Sequence, residues 1–363
     1  MESLEVRDQI RDAKRTVFVL GAGFTRAFCP RAPLLRDEFP ELKALQVKYR
    51  GFLGASRTLE VALARRRVDI ERLMSRLDRG MPYDADFERA ELTLLMHDVK
   101  RMIADRLEDA KKSVHTEELN ALARFLLWRN INCVTFNYDD ILDSVLFKMS
   151  CEPSSSRGGT VDPEGHRWGP SAGYGFSCPP STELAGGLGT ERWRAMLLLK
   201  LHGSINWRLR HGSTGPHVPG SILHHEQWYQ DTHEQVDDET SLQLAAEPFI
   251  VPPVLMKAEL IDQPVLRIVW ALAFGALQLA TEVVFLGYSL PVTDIAARVL
   301  FREAISRDAL VRVVIKCPKG DREKVIHRYR SIGVKKPPEF EFRCAREWVS
   351  EMITSARLQG SSL

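Results

Sequence analysis

Four apolar runs in this chain each stop at a short cluster of small and polar residues, and that repeated arrangement constrains the fold more than any other feature. Thr16-Val17-Phe18-Val19-Leu20 ends at Gly21-Ala22-Gly23-Phe24-Thr25. Ile131 to Phe136 ends in Thr135-Phe136-Asn137-Tyr138-Asp139. Met196 to Leu201 ends at Leu201-His202-Gly203, and Val283-Val284-Phe285-Leu286 at Gly287-Tyr288-Ser289-Leu290-Pro291. Runs that are apolar throughout, rather than alternating, mark strands buried on both faces. In an open parallel sheet the carboxyl ends of such strands face one crevice, where ligands bind.

Helical stretches separate the runs, as βαβ units require. The expected fold class is therefore α/β, a Rossmann-like doubly wound parallel sheet with an inserted helical module. The insertion is placed at residues 34–129. Ile70, Leu73, Met74 and Leu77 follow Asp69 at helical spacing, and Gly80 closes that segment. Leu92, Leu95, Met96, Val99 and Ile103 form a second stripe, and Leu119, Leu122 and Leu126 a third. These stripes read as core. The sheet domain is expected over 1–33 and 130–335, with a C-terminal tail at 336–363. Residues 151–190, rich in Gly, Pro and Ser, read as a long loop.

Composition narrows the function classes. Lys and Arg number 50 against 48 Asp and Glu, a formal charge of +2. No global field draws the chain to nucleic acid, so no direct nucleic-acid binding is expected. The Arg65-Arg66-Arg67 cluster reads as a solvated helix face. No apolar run approaches the ~20 residues that span a bilayer, and residues 1–15 lack an apolar signal core. The expected setting is cytoplasmic, without a membrane partner. The six cysteines include no Cys-x-x-Cys pair and the scattered histidines 211–233 fit no metal template, so no zinc and no other metal site is expected.

Each strand end offers specific chemistry. Gly21-Ala22-Gly23 lets a backbone approach a pyrophosphate at a helix N-terminus, although Arg26 stands where the dinucleotide fingerprint has its third small residue. Asn137 and Asp139 alternate and so can point the same way. An amide and a carboxylate there can hold a ribose hydroxyl and a carboxamide, while Asp139 or Asp140 can also cap the next helix, with Asp140 preferred for that task. Histidine is the side chain suited to proton transfer near neutral pH, so His202 can accept a proton from a hydroxyl or water. Ser289 can donate to a phosphate or ribose, and Asp294 reads as the cap of the following helix.

With those residues in hand, the chain resembles the sirtuin superfamily, and within it the sirtuin-like proteins of bacterial antiphage defence. Gly21 to Thr25 is similar to the family's Gly-Ala-Gly-Ile-Ser turn. Thr135 to Asp139 is similar to Thr-Gln-Asn-Ile-Asp with Phe136 replacing Gln, and His202-Gly203 to the His-Gly pair. Gly287-Tyr288-Ser289-Leu290 is similar to Gly-Thr-Ser-Leu. Lys316-Cys317 stands where many sirtuins place an Asn against the adenosine ribose, and the cysteine quartet that binds zinc in protein-deacylating members is absent.

The resemblance implies NAD as substrate and hydrolysis of its nicotinamide–ribose bond, depleting NAD in abortive infection. It implies that Asn137 and His202 are catalytic. It implies that Gly21, Ala22, Gly23, Phe24, Thr25, Asp139, Gly287, Ser289 and Cys317 bind the dinucleotide. It also implies control by a homo-oligomer or by a partner, a HerA-type ATPase being the expectation. The rival readings are a protein deacylase or ADP-ribosyltransferase on the same residues, and a non-catalytic scaffold that only binds the nucleotide.

Overall fold

The computed structural model describes residues 15–34, 37–53, 70–79, 86–151, 168–176, 178, 196–210, 222–224, 244–251 and 263–358. Asp69, Gly80, the 65–67 arginine cluster, and the histidines 211, 217, 225 and 233 lie outside those residues.

Six strands form one parallel sheet. In chain order they are β1 (Thr16–Leu20), β2 (Asn132–Thr135), β3 (Leu198–Lys200), β7 (Glu282–Leu286), β8 (Leu310–Val314) and β9 (Glu339–Glu341). Their spatial order is β3-β2-β1-β7-β8-β9. Leaving out the three strands of a separate sheet, this is the 3-2-1-4-5-6 order of the doubly wound Rossmann fold, with the topological switch between β1 and β7. The α/β expectation holds, and it holds on the chain's own strand order.

Register makes the crevice concrete. Lys200, Thr135, Leu20, Leu286, Val314 and Glu341 pair in one row across all six strands. The four motifs therefore begin along a single edge of the sheet. The strands that feed them are buried apart from the half-buried first residues Thr16, Asn132 and Glu282, as their apolar composition demands. Phe18 meets Trp348 of α12 (Ala345–Leu358) edge-on at 6.3 Å. Phe285 packs on Phe301 of α10 (Ile295–Ala304) and Tyr329 of α11 (Arg322–Arg330) at 5.0 and 4.9 Å. Phe18 and Phe285 sit at neighbouring registers of adjacent strands, so their side chains leave opposite faces and both faces are covered.

The helical module comprises α2 (Leu42–Lys48), α3 (Arg50–Leu53), α4 (Ile70–Arg79) and α5 (Asp86–Ala110). Its apolar stripes close on each other as a second core, running from Phe39 to Leu107, which takes in Ile205 and Ile250. The boundary at 129 needs correction. Leu119, Leu122 and Leu126 of α6 (Thr116–Arg129) belong to the sheet's own core, where α6 packs on α7 (Ile141–Cys151) and α12. The expected tail at 336–363 is corrected too: β9 extends the sheet, and α12 lays Trp348, Val349 and Ile353 into the core.

A three-stranded antiparallel sheet, β5-β4-β6, was not expected from the sequence. It consists of β4 (Gly203–Arg210), β5 (Ile222–His224) and β6 (Leu244–Ile250). The remaining described helices are α1 (Ala22–Phe28), α8 (Pro170–Gly173) and α9 (Pro264–Gln278). No described helix is long and apolar enough to cross a membrane.

Candidate functional site

The row of strand ends fixes where the candidate residues fall. Asn137 and His202 stand two residues beyond it on adjacent strands β2 and β3. Gly21 and Gly287 stand one residue beyond it on β1 and β7, on either side of the topological switch.

Asn137 is held by the glycine turn. Its Nδ2 donates to the Gly21 carbonyl at 3.0 Å and to Thr25 Oγ1 at 2.8 Å. Thr25 Oγ1 in turn donates to Asp139 Oδ2 at 2.6 Å. Both amide protons of Asn137 are thereby committed, while its Oδ1 accepts no hydrogen bond from any described residue. The side chain is half-buried. Asn137 thus presents an acceptor of fixed orientation, because an amide whose two donors are engaged cannot turn freely.

Asp139 is buried, and its other oxygen accepts from the Ile141 amide at 3.3 Å. The preference for Asp140 as cap is therefore amended: Asp139 takes the first amide of α7, and Asp140 forms a 2.6 Å ion pair with Lys111. Burial pushes the Asp139 carboxyl above its ordinary value, with the nearby Lys200 ammonium and the Thr25 hydroxyl pulling the other way.

The glycine turn meets the Gly287 turn backbone to backbone. Gly21 N donates to Leu286 O at 3.1 Å, Gly23 N to Gly287 O at 2.9 Å, and Phe24 N to Gly21 O at 2.8 Å. These amides are engaged by protein carbonyls in this conformation. Phe24 packs on Phe28 at 4.9 Å as part of the core, whereas Ala22 and Ser289 are exposed. Cys317 lies beyond the end of β8, half-buried, with its thiol raised by burial and lowered by the neighbouring Arg322.

His202 is only 5% exposed. The glycine that follows it does not open the histidine to solvent. A Cβ on Gly203 (φ +76°) would lie 2.2 Å from Phe249 O, so this glycine lets β4 pass close to β6. Around the imidazole, Phe136 stands edge-on at 5.1 Å and Tyr138 at 6.3 Å. His202 Nε2 lies 4.0 Å from Asp294 Oδ2. Asp294 caps α10 by accepting from Ala297 N, as its position predicts, and also accepts from Tyr288 OH at 2.9 Å. Tyr288 stacks on Phe136 at 4.6 Å with planes 12° apart.

Asp294 and Tyr288 thereby join the site beside His202, a role that sequence reasoning missed. The one signal available was that Asp294 follows closely on the fourth motif. The second motif touches each of the other three, through Asn137 to Gly21 and through Phe136 to His202 and Tyr288, and Gly23 joins the first motif to the fourth. Trp207 is a packing residue, ringed by Tyr174, Phe176 and Phe249. No three His, Cys, Asp or Glu among the described residues are grouped to hold a metal ion. A separate open cleft of about 630 Å³ lies past the end of α1, where cations and carboxylates alternate and Arg26 pairs with Asp37 at 2.8 Å.

No family model matches the sequence, and no curated protein matches it. Among solved structures the chain is similar to sirtuins. One is Sir2Tm bound to a propionylated peptide, at 12% identity and TM-score 0.40, covering 100% of both chains. Another is a Sir2–p53 peptide–NAD+ complex, at 12% identity and TM-score 0.42, covering 99% of this chain and 100% of that one. Likeness this loose is a record only.

Proposed function

We propose that this chain hydrolyses NAD+ at the nicotinamide–ribose bond. The observation that carries the reading is Asn137. Its two donors are tied to Gly21 and Thr25, and its Oδ1 accepts from no described residue, at the carboxyl end of β2 beside the glycine turn. The sequence motifs shared with sirtuins support the same reading.

The chemistry suits these groups. Nicotinamide leaves as a neutral molecule, taking the electron pair of the C1′–N bond, so no strong acid is required. The ribose gains oxocarbenium character as that bond breaks. Asn137 Oδ1 accepts a hydrogen bond from a ribose hydroxyl or the attacking water and so fixes one partner relative to the other. Water oxygen bonds to C1′, and His202 takes the released proton before passing it to solvent. The Asp294 carboxylate, 4.0 Å from Nε2, favours the imidazolium that forms. Asp139, Thr25, the glycine turn, Ser289 and Cys317 surround the dinucleotide in this reading.

Such an activity is lethal unless restrained. We assign the restraint to assembly, as a homo-oligomer or with a HerA-type ATPase, and the biological role to antiphage defence. The test follows NAD+ and nicotinamide in bacteria carrying the chain with its genomic neighbour, before and after phage challenge. NAD+ is expected to fall with wild type and to hold with Asn137→Ala. NAD+ that is stable in both would overturn the reading. In vitro, free ADP-ribose without an acceptor supports hydrolysis. Product formed only with an acylated peptide would replace it by deacylation, and label on protein by ADP-ribosyl transfer.

A further inference from the structure

Lys200 is wholly buried, and so are Tyr174 and Asn206, with Asp143 almost so. Lys200 Nζ donates to Asp143 Oδ1 and Oδ2 at 3.1 and 3.2 Å, and to the Asp139 carbonyl at 2.6 Å. Tyr174 OH donates to Asp143 Oδ1 at 2.5 Å and accepts from Asn206 Nδ2 at 2.9 Å. Five parts of the chain supply these groups: β3, the turn between β2 and α7, α7, the segment 168–176 and β4.

A buried ion pair is a poor device for stability, because desolvation consumes most of the attraction and a well-packed apolar pair often does as well. What the pair does supply is direction. The ammonium has three protons; two are held by Asp143, and the third fixes one backbone oxygen. That oxygen belongs to Asp139, whose carboxylate holds Thr25, which in turn receives the Asn137 amide. Lys200 is also two residues before His202 on the same strand end. The segment 168–176 is itself pinned. Trp168 N donates to Ser150 Oγ at 2.8 Å, and Trp168 meets Tyr174 edge-on at 5.3 Å.

We infer that Lys200, held by Asp143, which Tyr174 holds in turn, is a positioning residue that sets the Asn137–Asp139 turn and with it the alignment of Asn137 and His202. The kinetic part of this inference rests on the NAD+ hydrolysis proposed above; the structural part does not.

The decisive variant is the double substitution Lys200→Met with Asp143→Leu, which removes both charges of the pair together, so that neither partner is left as a lone buried ion. It is expected to melt within about 5 °C of wild type. Backbone amides at 136–142 should exchange with deuterium about tenfold faster, while those of β7 and β8 are unchanged. Nicotinamide release should fall about tenfold to a hundredfold in kcat with KM moving less than about threefold, the pattern of a misplaced reacting group rather than a lost contact. Tyr174→Phe, which keeps the ring and the ion pair, should shift the same amides by a smaller factor. Wild-type exchange at 136–142 in the double variant would overturn the inference, whatever the turnover. Wild-type kcat with accelerated exchange would overturn its kinetic part. A wild-type protein that releases no nicotinamide with its partner and trigger counts against NAD+ hydrolysis, and the exchange result then decides the positioning role alone.

Discussion

The backbone of Gly23 lies against that of Gly287: Gly23 N donates to Gly287 O at 2.9 Å, and a Cβ built on Gly287 would fall 2.3 Å from the carbonyl carbon of Gly23. Gly287 also sits at φ +63°, where an L side chain is strained. The turn after β7 and the first turn of α1 therefore meet backbone to backbone at the switch point, and the close approach of Gly23 leaves no room for a Cβ at Gly287. Gly287→Ala adds a strained dihedral and a clash with backbone that cannot swing away. It is expected to cost about 3 kcal/mol or more, read by denaturant unfolding. Unchanged stability would mean that the turns can separate.

Asn137 offers a sharper functional test. Asn137→Asp keeps the shape but replaces both donors with acceptors facing the Gly21 carbonyl and Thr25. Stability should fall by about 1–3 kcal/mol, the penalty for buried acceptors left without donors. Asn137→Ala removes the acceptor as well, and nicotinamide release should fall about a hundredfold to a thousandfold. Activity surviving in the alanine variant would remove Asn137 from the chemistry.

Legibility in the sequence followed burial. β1, β2, β3 and β7 each belong to a largely apolar run, so they stand out, and the motifs after them begin along one row. Glu339-Phe340-Glu341 did not stand out, since a three-residue edge strand with two carboxylates owes its conformation to pairing with β8. The amphipathic stripe of α12 went unused because nothing local shows that Trp348 meets Phe18. At the site, Asn137 and His202 were legible from their motifs. The Asp294–His202 approach and the Lys200–Asp143 pair were not, because they join residues far apart in the chain through side-chain direction alone.

Tyr288 and Asp294 can be separated by a double-mutant cycle. Tyr288→Phe keeps the stack on Phe136 and deletes the hydrogen bond to Asp294. Asp294→Ala deletes that bond, the α10 cap and the carboxylate beside His202. We predict about 1 kcal/mol lost for the first and about 2 for the second. A coupling of at least about 0.5 kcal/mol is expected. Only Asp294→Ala should also depress nicotinamide release strongly. Strictly additive losses in thermal unfolding would show that the hydrogen bond contributes nothing.

The buried carboxyl of Asp139 sets a direction for pH dependence. Burial raises it above the unfolded value near 3.9. The folded chain therefore binds that proton more tightly than the unfolded chain. By linkage, the stability Asp139 contributes is complete below the unfolded value and is lost as pH rises through the folded one. Asp139→Asn removes this dependence while leaving an acceptor for Thr25 or Ile141. The melting temperature of the variant minus that of wild type should then increase as pH is raised from about 4 to about 8. The offset between the two proteins also reflects the altered hydrogen bonds, so the slope is the diagnostic quantity. A difference that decreases with pH would mean that Lys200 and Thr25 outweigh burial and that Asp139 is held as a carboxylate in the fold.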